Sequence, residues 1–180
     1  FTSGRYFSER PLQISRVLDA LLASPEWGPR IPTERIGAVG HSAGGYLTAA
    51  MFATDWTGYG LPAEPFCGGL AISGVFDPAP LIKTSMYELI RLTPERAATL
   101  DLTRTQRRVH APLVLTVGGD EPAEFHRQSR DMAHAWSVPA GAVRPIAGTN
   151  HFTIVDQLRD PASALFATAM DLLACGPPQP

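Results

Sequence analysis

The sequence is poor in the features that mark secreted scaffolds, membrane proteins and nucleic-acid binders. It has two cysteines in 180 residues, Cys67 and Cys175. They lie far apart and neither sits in a CxxC or His-rich neighbourhood, so the pattern suggests thiols in a reducing cytosol rather than a disulfide framework or a metal site. A disulfide between the two stays open. No window approaches the ~18 apolar residues a membrane-spanning helix needs. The formal net charge is -2, so no basic surplus points to nucleic acid or an anionic membrane. There is no phosphate-cradling loop, no internal repeat and no signal-peptide pattern. Residue 1 is Phe rather than Met. With nucleic acid and membrane set aside, the expected partners are a small molecule and a second copy of the chain in a homo-oligomer, the expected setting is the cytoplasm, and no metal or other cofactor is expected.

What is present is an ordinary globular composition, 44% hydrophobic and 18% charged, with enough residues for one domain with a sizeable core. Short apolar runs at 35–39, 68–76 and 112–117 read as buried strands, and 142–146 as a poorer one. Pro145 removes a ladder donor there and predicts an edge position. Helical patterns alternate with them. Residues 9–23 read as a helix with Ile14, Val17, Leu18, Leu21 and Leu22 on one buried stripe, Ser8 as N-cap and Pro11 in the first turn. A helix is expected from residue 45, another over 124–136 with Phe125, Met132, Ala133 and Trp136 on one face, and a last one over 161–174 that buries Leu165, Ala169, Leu172 and Leu173. Near-continuous apolar strands alternating with helices predict an α/β fold, a mostly parallel sheet covered on both faces. Residues 77–110 are long for a connector, with helical pieces at 86–92 and 94–100, and are expected to form a cap-like insert.

The chemistry concentrates at Gly40-His41-Ser42-Ala43-Gly44. This is a G-x-S-x-G motif between a strand and a helix, the setting in which a sharp turn exposes a serine hydroxyl; flanking glycines are expected where a Cβ would collide with the neighbouring elements. A serine needs a base, and the base needs an orienting acid. In an α/β-hydrolase these follow in the order Ser, Asp or Glu, His. His151, just past the last strand, is the expected base. His41 is the motif's x residue and is expected to point away from the hydroxyl proton, His110 precedes a strand at the opposite end of the sheet, and His126 and His134 lie on a helix. The acid is Glu121, three residues after Gly118 at a strand end, with the adjacent Asp120 as alternative. The Ala43 N–H is the expected oxyanion donor, and no His-Gly-Gly loop is present to supply a second one. An elbow serine usually follows the fifth strand of an eight-stranded sheet, and only about 35 residues precede this strand, so a domain lacking its early strands is expected.

Several runs resemble the kynurenine formamidases (arylformamidases): Gly40 to Gly45, Ser73-Gly74-Val75-Phe76-Asp77 with Pro80-Leu81, Val117 to Glu121 with Glu124-Phe125-His126-Arg127-Gln128-Ser129, and Asn150-His151-Phe152-Thr153. They span about residues 40 to 160. The resemblance implies an α/β-hydrolase fold and hydrolysis of N-formylkynurenine to kynurenine and formate, with Ser42 as nucleophile, Glu121 as acid and His151 as base. Tyr87, Asn150 and Phe152 are candidate substrate contacts. Residues 8–45 look more like dienelactone-hydrolase-type relatives. A general carboxylesterase with the same triad, and an inactive truncated chain that only binds, are the competing expectations.

Overall fold

The computed structural model describes Gln13 and residues 16–174. Helix α1 is present at 16–22, but its expected buried stripe is not buried: Val17 is 61% and Leu21 40% exposed, because no element packs over that face among the described residues. Ser8, Pro11 and Ile14 lie outside the described residues, as do Cys175 and the proline tail. Four strands follow, β1 (Gly37–His41), β2 (Gly68–Ile72), β3 (Leu113–Gly118) and β4 (Val143–Ile146). They form one sheet in the order β1-β2-β3-β4, every pair parallel. No strand precedes β1 among the described residues. The connecting helices are α2 (Ala43–Ala53) after β1, the short α3 (Tyr87–Ile90) and α4 (Pro94–Leu100) between β2 and β3, α5 (Ala123–Ala135) between β3 and β4, and α6 (Ala164–Ala174) after β4.

β2 and β3 are buried along their whole length, because each has a strand on either side and packed side chains on both faces. Their alternation divides the core in two. Ala71, Leu113 and Leu115 face Phe52 of α2, Met132 and Ala133 of α5, and Trp136 just after it. Leu70, Ile72 and Val114 face Leu165 and Leu172 of α6 and Ile154 of the preceding loop. A parallel sheet covered on both faces needs this two-sided apolar content. Pro145 sits opposite Val117 on β4, which pairs only with β3 in the described sheet, so its missing N–H costs no ladder bond. β1 is the other outer strand, and its Val39 is 60% exposed.

The segment between β2 and β3 has two parts. From α4 onward it is tied to the body: Tyr46 Oη donates to Leu100 O (2.8 Å), Leu102 N–H to Phe76 O (3.0 Å), and Trp136 Nε1 to Thr105 O (2.7 Å). Burial pushes the Tyr46 phenol up to about 12, so it stays a neutral donor. The part before α4 carries the half-exposed Met86 and Ile90. The loop's start is pinned to α5 by Gln128, whose side chain accepts from Asp77 N–H (2.8 Å) and donates to Asp77 O (2.8 Å) and Glu124 Oε1 (2.8 Å).

Candidate active site

Ser42 stands between the last residue of β1 and the first of α2, at φ 57 and ψ -117. A non-glycine residue at positive φ is disfavoured by about 1–2 kcal/mol, so the surroundings must hold it. Ser42 N–H donates to Ile72 O at the end of β2 (2.8 Å), and Tyr46 N–H donates to Ser42 O (3.1 Å). The flanking glycines divide differently from expectation. A Cβ on Gly40 would lie 2.1 Å from Gly44 O, but one on Gly44 would meet nothing within 4 Å. The close approach to the sheet is made by Gly45, outside the motif, whose Cβ would lie 2.6 Å from Ile72 O and 3.0 Å from Gly74 Cα. Gly45 therefore lets α2 start against the end of β2. Gly45→Ala is expected to cost about 1–3 kcal/mol, as overpacking against backbone does, and Gly44→Ala within about 0.5 kcal/mol. Urea unfolding midpoints of the two variants check this.

The elbow, the turn after β3 and the loop after β4 bring three side chains together. Ser42 Oγ lies 3.1 Å from His151 Nε2, and His151 Nδ1 lies 2.8 Å from Glu121 Oε2. A carboxylate only accepts, so Nδ1 carries the proton and Nε2 is left as acceptor for the serine hydroxyl. The Glu121 side chain is fully buried, whereas the His151 side chain keeps 20% of its exposure. Glu121 is oriented at its other oxygen too: Oε1 accepts from Gly118 N–H (2.7 Å) and from Ser73 Oγ (2.5 Å). Asp120, the alternative acid, is exposed, and its N–H donates to Thr149 O (2.9 Å).

Ala43 opens α2, so its N–H belongs to the first turn, where amides lack intrahelical acceptors. Phe152 is 79% exposed and stands edge-on to His151, with ring centroids 5.6 Å apart. Asn150 is engaged locally, its Oδ1 accepting from Phe152 N–H (2.9 Å) and Thr153 N–H (3.1 Å). That turn presents His151. Tyr87 is the first residue of α3.

Four further residues shape the site. His41 does not bond the serine hydroxyl; its ring lies against His151, centroids 4.6 Å apart, and its Nε2 is buried without a partner. Burial first, and then neighbouring His151, hold its pKa below the usual histidine value, which keeps it neutral beside the base. Phe125 packs on the same imidazole at 4.6 Å and is only half-buried. Its helical spacing with Met132 suggests core, but it sits about two turns nearer the start of α5, where the helix meets the site. Ser73 is entirely buried, and nothing in a short strand-end serine distinguishes it in sequence. Gln128 is 1% exposed; its position between Phe125 and Met132 on the helix face was the available signal.

Among the described residues no group of three or more His, Cys, Asp or Glu side chains is placed to hold a metal ion, and no helix is long and apolar enough to cross a membrane. Cys67 is buried.

No protein-family model matches the sequence. Curated relatives do, among them kynurenine formamidases of Danio rerio, 30% identical over 128 residues, and of Salmo salar, 29% identical over 129 residues. Each alignment takes in 67% of this chain but only 43% and 44%, respectively, of the relative, so the chain spans less than half their length. Among solved structures, a candidate thioesterase from a Silicibacter species superposes with a TM-score of 0.64 at 30% identity, over 73% of this chain and 49% of that one.

Proposed function

We propose that this chain, an α/β-hydrolase of the kynurenine formamidase type, is a serine hydrolase that cleaves the N-formyl amide of N-formylkynurenine to kynurenine and formate. The observation that carries the reading is the continuous relay from Ser42 Oγ through His151 to Glu121, at 3.1 and 2.8 Å. Ser42 Oγ attacks the formyl carbon as His151 Nε2 takes its proton. The new oxyanion forms beside the Ala43 N–H at the start of α2. His151, now an imidazolium paired with Glu121, gives its proton to the arylamine nitrogen; the C–N bond breaks, and kynurenine leaves a formyl ester on Ser42. Water, deprotonated by the same His151, attacks that ester and releases formate. The exposed ring of Phe152 beside the base is a natural platform for the aryl leaving group. Asn150 serves by holding that loop, and Tyr87 is the remaining candidate contact. The cytoplasm is the proposed setting.

The similarity to a candidate thioesterase favours a second reading, an ester or thioester hydrolase on the same relay. The test is turnover of N-formylkynurenine, read as kynurenine absorbance, beside a short p-nitrophenyl ester. Preference for the formamide is expected. Ester turnover without formamide turnover transfers the assignment to the second reading. A folded chain with neither activity is a binding chain.

A further inference from the structure

We propose that Ser73 is a positioning residue for the acid of the relay, setting the orientation and charge distribution of Glu121 through its hydroxyl. This inference rests on the proposed role of the Ser42–His151–Glu121 relay and adds a fourth member from the end of β2. Ser73 is the first residue past β2, with no exposed surface. Its hydroxyl donates to Glu121 Oε1 at 2.5 Å across 48 residues of sequence, and its N–H donates to Thr116 O of β3 (2.7 Å). The backbone is in the left-handed region at φ 50, where glycine sits without strain and a side chain does not. A glycine would therefore satisfy the chain path better than serine. What serine contributes is one hydroxyl, and that hydroxyl is spent on the buried carboxylate. Strained backbone of this kind gathers where a side chain must be delivered to a fixed point.

The arrangement divides the work of one carboxylate. Oε2 faces His151, whereas Oε1 is held by the Ser73 hydroxyl and the Gly118 N–H. Two donors on one oxygen fix the plane of the carboxylate, so Oε2 cannot swing away from Nδ1. They also draw negative charge toward Oε1, which tempers the pull of Glu121 on the imidazolium. The titratable groups facing His151 are Glu121 from the turn after β3 and His41 from β1; Ser73 acts on the first and not on the second. The same strand end also receives the Ser42 N–H at Ile72 O, so the last residue of β2 holds the nucleophile and the residue after it holds the acid.

The test uses Ser73→Ala and Ser73→Gly. Both remove the hydroxyl, but only the second relieves the positive φ. Both are expected to lose about 10- to 100-fold in kcat, the scale of a hydrogen bond to a charged group, with KM changed less than about twofold. With Oε1 left to Gly118 alone, Glu121 holds the imidazolium more strongly. The His151 titration, followed by NMR of its ring protons, is expected to move to higher pH in both variants, and the acid limb of kcat/KM to move with it. A structural role alone would change the urea midpoints and leave the His151 titration where it is. An unmoved titration in Ser73→Ala overturns the proposal. The NMR readout needs no turnover, so a parent chain inactive on both substrates would overturn the hydrolase reading without touching this measurement.

Discussion

Ser42→Ala is expected to abolish turnover of both N-formylkynurenine and p-nitrophenyl ester, with a loss on the order of 10^6-fold in kcat, the scale for removing the serine of such a relay. The geometry explains the size. Ser42 Oγ is the atom within hydrogen-bonding reach of His151 Nε2, and without it the acyl group has no covalent acceptor. What remains is substrate binding and the Ala43 N–H, which act on water attack alone. KM is expected to stay within about twofold, because the hydroxyl contributes to bond making rather than to ground-state binding. Stability should move in the opposite sense to activity in a companion variant. Ser42 sits at φ 57, and Ser42→Gly places there a residue that adopts this conformation without cost. Ser42→Gly is therefore expected to be inactive and more stable than the parent by about 1 kcal/mol, read as a higher urea midpoint. Turnover persisting in Ser42→Ala at more than about a hundredth of the parent rate would mean that another group performs the attack.

Glu121→Gln is expected to cost about 10^4-fold in kcat, the scale of an amide replacing the carboxylate that orients the base. The amide is nearly isosteric and keeps an oxygen for Ser73 and Gly118, so the fold survives. Its NH2 group, however, faces His151 Nδ1 as a donor. The imidazole then places its proton on Nε2 to accept at Nδ1, and in that tautomer Nε2 cannot take the serine proton. The imidazolium formed during attack also loses its buried counter-charge, 2.8 Å away. Asp120→Asn is the matched comparison. Asp120 is exposed and held through its backbone at Thr149, and its amide variant is expected to keep kcat within about twofold. Equal losses in the two variants would show that the acid is shared between the two positions, and a loss confined to Asp120→Asn would reverse the assignment.

The sequence made some of this arrangement legible and hid the rest, for identifiable reasons. The apolar runs around Leu70, Leu115 and Val39 announced strands, because a parallel sheet buried on both faces demands continuous apolar content. Pro145 announced an edge, because it has no N–H to donate. The strand-Ser-helix pattern at Ser42 and the placement of Glu121 and His151 after later strands put three groups at one end of the sheet. Parallel strands deliver all their carboxyl ends to the same side, so order along the chain becomes proximity in space. Those inferences need only local patterns and handed connections.

Tertiary structure alone decided what depends on direction and contact. Spacing left Asp120 and Glu121 as neighbours; the turn after β3 aims one carboxylate at the buried end of β2 and the other at solvent. The motif singled out Gly44 and left Gly45 outside it, whereas the approach of α2 to Ile72 requires the second and leaves space at the first. His41 and Phe125 became flanks of the base, and Ser73 became a partner of the acid, through contacts between residues 26 to 110 positions apart in the chain. Periodicity records which face of an element is buried. It does not record what that face meets, because the partner's identity is set by the packing of distant elements.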